Sequence, residues 1–418
     1  MTDLTRNILI TNRIDVEGQK QYLNKIIIVL CLLFAICPVA TTIVYMAFRM
    51  MNPYKQNKLD FLTFVFIATC ACLLHSTRIW DVHQPSDWYN DGYWGLFKEV
   101  KNRSFVTYLA AGVKEPGWRI INYIGYYIFD GSYLHFANTL AILSLFITSY
   151  AIYRYWVFLN KSSIILVCML FLFVFFTEYW SQLNNLLRQM FAMSLITYAM
   201  VYRVIHQKHI WWLIILACLI HTFAFIYMLL MALPILYKKI TKKGFFILGI
   251  GGSILFFLLK YVSFFSVIFS DISFVSYGFN RLATAADPLD QNFLDSTSVY
   301  ITSCFIICIC IYKNYYLVPD KKNIFFTNLL MIIMFVCILL TNFMPEIMGR
   351  IYVSRFYLFP FVLPFLKVKS KALTYIYLIS VILFFSIRFF LNFDTIRGGG
   401  FFPPITDIAT YNIIDFIL

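Results

Sequence analysis

HIWWLIILACLIHTFAFIYMLLMALPILYK, residues 209–238, is the stretch whose reading decides how this chain is built. So long an apolar run is more than one membrane span needs, yet it splits awkwardly into two. Arg203 and Lys208 precede it, and Lys238, Lys239, Lys242 and Lys243 follow. Basic residues at both ends place both ends on the cytoplasmic side of a membrane. About a dozen helical residues on each side of His221 rise ~18 Å, short of a ~30 Å hydrocarbon core. The spacing therefore predicts a re-entrant turn with His221 at its apex, in the outer half of the membrane. Such a turn is tolerated only where it is buried in protein or lines a water-filled cavity.

Outward from that turn the pattern repeats. Hydrophobic residues make up 61% of the 418 and charged residues 13%, which excludes a soluble globular chain. Full spans are expected near 26–48, 61–79, 133–155, 164–180, 186–203, 245–266, 298–315, 325–343, 354–366 and 373–391. The expected fold is all-α: a polytopic integral membrane protein with about ten transmembrane helices, a re-entrant pair and two long outer-side loops. Residues 1–25 form a polar extension, 26–391 one membrane domain with outer loops at 80–132 and 267–297, and 392–418 an outer-side tail. The stretch 116–129 carries Trp118, Ile121, Ile124, Tyr127 and Ile128 at helical spacing, so it reads as a helix lying against the membrane. Net charge is +14, but the lysines cluster at the ends of apolar runs, so the membrane explains the charge and no nucleic-acid partner is implied. The ten cysteines lie in or beside apolar runs and read as packing residues rather than a disulfide framework.

Residues that carry chemistry gather outside the spans. The first long polar interruption, residues 79–119, holds Asp87, Asp91 and Glu115 among Trp88, Tyr89 and Trp118. Aromatic rings stack on the apolar faces of sugars, and carboxylates accept hydroxyl hydrogen bonds. Arg78, Arg119, Arg188, Arg281, Arg350 and Arg355 fall on the outer side, against the positive-inside pattern. An ionisable residue at membrane depth is costly and marks a functional site, and arginine's planar fork suits phosphate oxygens. Snorkelling or interhelical pairing explains any one of these arginines more easily than all six. His221 at a re-entrant apex has the proton affinity of a general base, and His75 lies one turn before Arg78. No phosphate-cradling glycine loop, serine elbow or metal cluster is found in the sequence, and neither metal nor cofactor is expected.

The order of these pieces is specific. Leu74-His-Ser-Thr-Arg78 is followed by Asp87-Trp-Tyr89, Lys114-Glu-Pro-Gly-Trp118, Leu187-Arg-Gln-Met-Phe-Ala192 and Ala217-Cys-Leu-Ile-His221. In this order the chain resembles the EpsG-like bacterial exopolysaccharide polymerases, which are related in role to the Wzy-type O-antigen and capsule polymerases. The likeness covers roughly 73–234, with a weaker continuation at 350–360. It implies a glycosyltransferase of the bacterial inner membrane with its site on the periplasmic side. The donor would be a glycan on undecaprenyl diphosphate, the acceptor another lipid-linked repeat unit, and a chain-length regulator a neighbour in the membrane. The outer arginines Arg188, Arg355, Arg281, Arg350 and Arg78 would stabilise the diphosphate leaving group. His221, Glu115 and Asp87 are the candidates for the base, and Trp88, Tyr89, Asp91 and Trp118 would hold the sugars. A ligase that moves finished chains, a lipid-linked oligosaccharide flippase and a membrane acyltransferase are the rival readings.

Overall fold

The computed structural model describes residues 23–52, 54–78, 93–111, 115–241, 321–340, 345–366, 370–393 and 402–416, with a few isolated positions between 243 and 308. Regular structure among the described residues is helical throughout. The expected spans at 245–266 and 298–315, and the loop that contains Arg281, lie outside them, as do Asp87, Trp88, Tyr89 and Asp91.

The first expected span is interrupted. Helix α1 (Leu23–Ile36) ends at Cys37, and α2 (Pro38–Met51) starts with proline in its first turn. Pro38 has no N–H to donate and its ring crowds the preceding turn, so the chain restarts there. Two helices that follow meet the requirements of a membrane crossing. They are α3 (Asn57–Ser76), with mean hydropathy 1.8, and the 27-residue α7 (Tyr133–Leu159). Between them lie α4 (Tyr93–Glu99), α5 (Phe105–Ala110) and α6 (Pro116–Ile128). Next come α8 (Ser163–Val174) and α9 (Thr177–Asn185), which together are long enough to cross but bend by 44° at the break.

Helix α10 (Leu187–His206) is as long as α3, yet Arg188, Gln189 and Arg203 leave it too polar to face lipid. It is instead the central helix, packed chiefly on α7 and on α11 (Trp211–Ile220). The helix is interrupted at the position of the expected turn: α11 ends at Ile220 and α12 (Ala224–Ala232) begins after His221, Thr222 and Phe223. Helix α13 (Ile324–Leu340) leads to α14 (Pro345–Val353) and α15 (Arg355–Val362). The span expected at 354–366 is therefore broken. Helix α15 has eight residues and rises only ~12 Å; Pro360 lies within it, and Pro364 sits in the 3₁₀ turn that follows it. The last long helix, α16 (Lys371–Asn392), shows most of its surface outward, as a helix set against lipid does. In all, three helices among the described residues are long and apolar enough to cross a membrane, or four with the bent pair.

The core runs along the contacts of α3, α7, α8 and α10, where Ala68, Ala71, Ala137 and Ala141 are fully covered. Small residues let helices approach closely where hydrophobic transfer no longer drives association. At one end, where α2 finishes and α3 and α8 begin, Arg49 and Asp60 form a buried pair at 2.6 Å that Ser163 also joins. At the other end, the C-terminal residues 402–416, including the short α17 (Ile405–Ile408), fold back over the bundle. The Ile413 amide bonds Ala35 O at 3.0 Å, Ser76 Oγ bonds Phe416 O at 3.1 Å, and the Phe402 ring packs on Trp180, His75 and Phe393. The expected loose tail is thus docked over this segment.

Candidate functional site

Glu115 begins the site. It is the residue before α6, and Pro116 at the first helical position fixes the entry angle. Its backbone lies in the left-handed region, φ 52 and ψ 57, a conformation that costs a non-glycine residue of order 1–3 kcal/mol. Asp130, Asn160 and Gln207 share a positive φ, but each follows a helix, where such a residue commonly closes the last turn. Only Glu115 among these four precedes one. The strained backbone turns its carboxylate back over the end of α6.

That carboxylate is met from two directions. Arg188, in the first turn of α10, brings Nη1 to within 2.6 Å of Glu115 Oε2. From the re-entrant break, the Thr222 amide donates to Oε1 at 3.4 Å, and His221 Nε2 lies 3.7 Å from the same oxygen. The His221 ring is itself oriented, since its Nδ1 accepts the Phe223 N–H at 3.2 Å. The approach of α6 to α11 depends on Gly117, where an added Cβ would lie 2.8 Å from the Leu219 backbone carbon. Glycine is required there because a main chain passes.

Among the described residues, arginines and tyrosines from several helices stand around this centre. The Arg188 guanidinium lies 4.5 Å from the centroid of the Tyr93 ring. Arg188 and Arg350 both act electrostatically on His221, and Arg78 and Arg188 both act on the Tyr133 hydroxyl. Gln189 ties α14 to α10 by donating to the Arg350 carbonyl at 3.0 Å. Arg188 alone pairs with the carboxylate, while Arg350 of α14 acts on the neighbouring His221 and Arg78 at the end of α3 acts on Tyr133. Arg355 sits in an aromatic cage, 3.4 Å from the Tyr352 centroid and 4.4 Å from that of Phe356. Its helix abuts α10 through the Tyr357 hydroxyl, which bonds Met190 O at 2.7 Å.

Two expected participants serve packing. Trp118 is 1% exposed, its ring set edge-on to Tyr93 and against Phe136, so protein covers it where a sugar would stack. His75 is buried between Trp180 and Phe402, with Nε2 3.3 Å from Asn184 Oδ1. Arg119 ties α6 to α5, donating from Nη1 to Tyr108 O at 2.7 Å. Tyr133 does not stand out in the sequence as a site residue, because aromatics are common at membrane interfaces and its spacing to Arg188 is not local. No group of three His, Cys, Asp or Glu among the described residues is arranged to hold a metal.

Several apolar helices long enough to cross a membrane define a multi-pass membrane protein, whose candidate site sets one strained carboxylate against Arg188 and a broken helix pair. The chain belongs to the EpsG family, which matches it over residues 81–403 and is linked to exopolysaccharide biosynthesis. No curated protein and no solved structure matches it.

Proposed function

We propose that this protein is a membrane glycosyltransferase that polymerises lipid-diphosphate-linked oligosaccharide repeat units into an extracellular polysaccharide. The observation that carries the reading is the pairing of Arg188 with Glu115 at 2.6 Å beside the His221 break, with Arg350 acting on His221 and Arg78 on Tyr133. Guanidinium groups in a mostly buried site suit an anion with several phosphate oxygens. In transfer from undecaprenyl diphosphate, negative charge develops on the departing diphosphate, where these groups stabilise it. Arg355, carried on the helix that abuts α10, and Arg281 complete the proposed set. Asp87, Trp88, Tyr89 and Asp91 are proposed to hold the repeat unit, which the arginine cluster alone does not recognise. The site would face the periplasmic side of the inner membrane, with a chain-length regulator nearby.

The test is the surface polysaccharide of cells lacking the gene, complemented with wild type or Arg188→Ala at matched membrane levels. Polymerisation predicts that the ladder of chain lengths collapses to one repeat unit in both the null and the variant. Loss of every repeat unit from the surface would instead indicate export, and an unchanged ladder would refute the reading. Long chains that form but stay on their lipid would indicate a ligase.

A further inference from the structure

We infer that Glu115 is the group that takes the acceptor's proton, and that His221 is a positioning residue which cannot do so; this rests on the polymerase reading above. The argument begins at His221 Nδ1, which accepts the Phe223 N–H at 3.2 Å. A nitrogen that accepts carries no proton, so the neutral ring must carry its proton on Nε2. The opposite tautomer would set two N–H groups against each other. Nε2, the atom that faces the site, is therefore already protonated and offers no lone pair. It lies 3.7 Å from Glu115 Oε1, longer than a hydrogen bond, beside the Thr222 N–H that donates to the same oxygen at 3.4 Å. The turn thus fixes this oxygen through one amide and keeps a second N–H close to it.

The other oxygen, Oε2, holds Arg188 at 2.6 Å. Arg188 is the more exposed partner, with 29% of its side chain accessible against 10% for Glu115. A diphosphate carries more negative charge than a carboxylate and presents more acceptor oxygens, so it competes for this guanidinium. As Arg188 turns to the diphosphate, Oε2 loses its cation and gains an anion nearby, and both changes raise its affinity for a proton. Among the described residues, the groups that face this carboxylate include Arg188 from α10, His221 and the Thr222 amide from the break between α11 and α12, and, around His221, Arg350 from α14. Tyr93 of α4 stacks on Arg188 and sets the direction from which it swings.

The step balances. The acceptor hydroxyl oxygen bonds to the anomeric carbon of the donor, and its proton passes to Glu115 Oε2. The bond between the anomeric carbon and the diphosphate oxygen breaks, and its electron pair leaves with the diphosphate. Glu115 then returns the proton to water or to the departing diphosphate, and Arg188 closes again on Oε2. Donor binding thereby readies the base, so acceptor units are activated only when a donor is present.

The experiment uses purified protein in liposomes with lipid-linked repeat units extracted from cells that lack the gene, and follows the elongation rate from pH 5 to 9. His221→Gln keeps a donor at the Nε2 position but cannot titrate. We expect it to stay within about tenfold of wild type, the scale of one hydrogen bond, and to keep the wild-type acid limb. Glu115→Gln should lower the rate by about 10²–10⁴-fold, the usual contribution of a general base. A His221→Gln variant that is inactive, or that loses the acid limb, overturns the proposal; so does a Glu115→Gln variant of near wild-type rate. If Glu115→Gln fails to reach the membrane, the His221→Gln pH profile decides alone. Failure of the wild type to elongate these units would refute the polymerase reading itself.

Discussion

At the scale of single residues, this chain pairs its buried charges. Arg49 and Asp60 are 1% and 0% exposed and lie 2.6 Å apart, with Ser163 and the Gln56 amide completing the carboxylate's partners. Removing one partner leaves the other as an unpaired buried ion, which costs about 3–5 kcal/mol. Asp60→Ala is therefore expected to lower the unfolding midpoint of the detergent-solubilised protein sharply, whereas Arg49→Met with Asp60→Leu recovers most of the loss. A double variant as unstable as the single one would show that the ion pair is not what matters there. At the site, Arg188→Lys should fail to restore the ladder of polysaccharide lengths. An ammonium supplies the charge but not the planar fork that spans two phosphate oxygens. Complementation by the lysine variant would reduce Arg188 to a point charge.

At the scale of elements, the breaks matter more than the helices. Pro38 divides the first apolar run, Pro364 follows the end of α15, and three non-helical residues part α11 from α12. The proline breaks follow from chemistry that can be seen in the sequence, a missing donor and a locked φ. The break at His221 was legible from length alone, since its two halves are each too short to cross. The contact of α6 with α11 was not, because Gly117 reads as an ordinary glycine until Leu219 is found against it. Gly117→Val is expected to push these helices apart, at about 1–3 kcal/mol for overpacking, and to carry Glu115 away from Thr222. The ladder should shorten even where the protein reaches the membrane in normal amount. Gly95→Ala in α4, where an added Cβ meets nothing within 4 Å, is the control and should be neutral or slightly stabilising. Equal effects from the two would remove Gly117 from the account of the site.

For the whole molecule, the docked C-terminal segment ties the end of the chain to α1, α3, α9 and α16. Phe402 is 3% exposed among Trp180, His75 and Phe393, so Phe402→Ala should cost about 3–5 kcal/mol. A midpoint unchanged by that substitution would mean that the segment is not docked. Orientation is a separate question, carried by the lysines between apolar runs. Reporter fusions after Lys243, Lys322 and Lys371 should behave as cytoplasmic, and fusions near 290 and 395 as periplasmic. The reverse pattern would put the arginine cluster on the wrong side for the proposed donor.

The sequence by itself determined that this is a helical membrane protein, where its basic residues fall and where one apolar run is interrupted. Those properties follow from the transfer energy and the backbone chemistry of each residue type, which neighbours distant in the chain alter little. It also supplied Glu115, Arg188 and His221 as separate candidates. Only the tertiary structure decided that the first two meet at 2.6 Å across 73 residues, that Trp118 is core, and that the His221 ring is held by the Phe223 amide. Side chains so far apart in sequence meet through the packing of α6, α10 and α11, and no local pattern of residues encodes that packing.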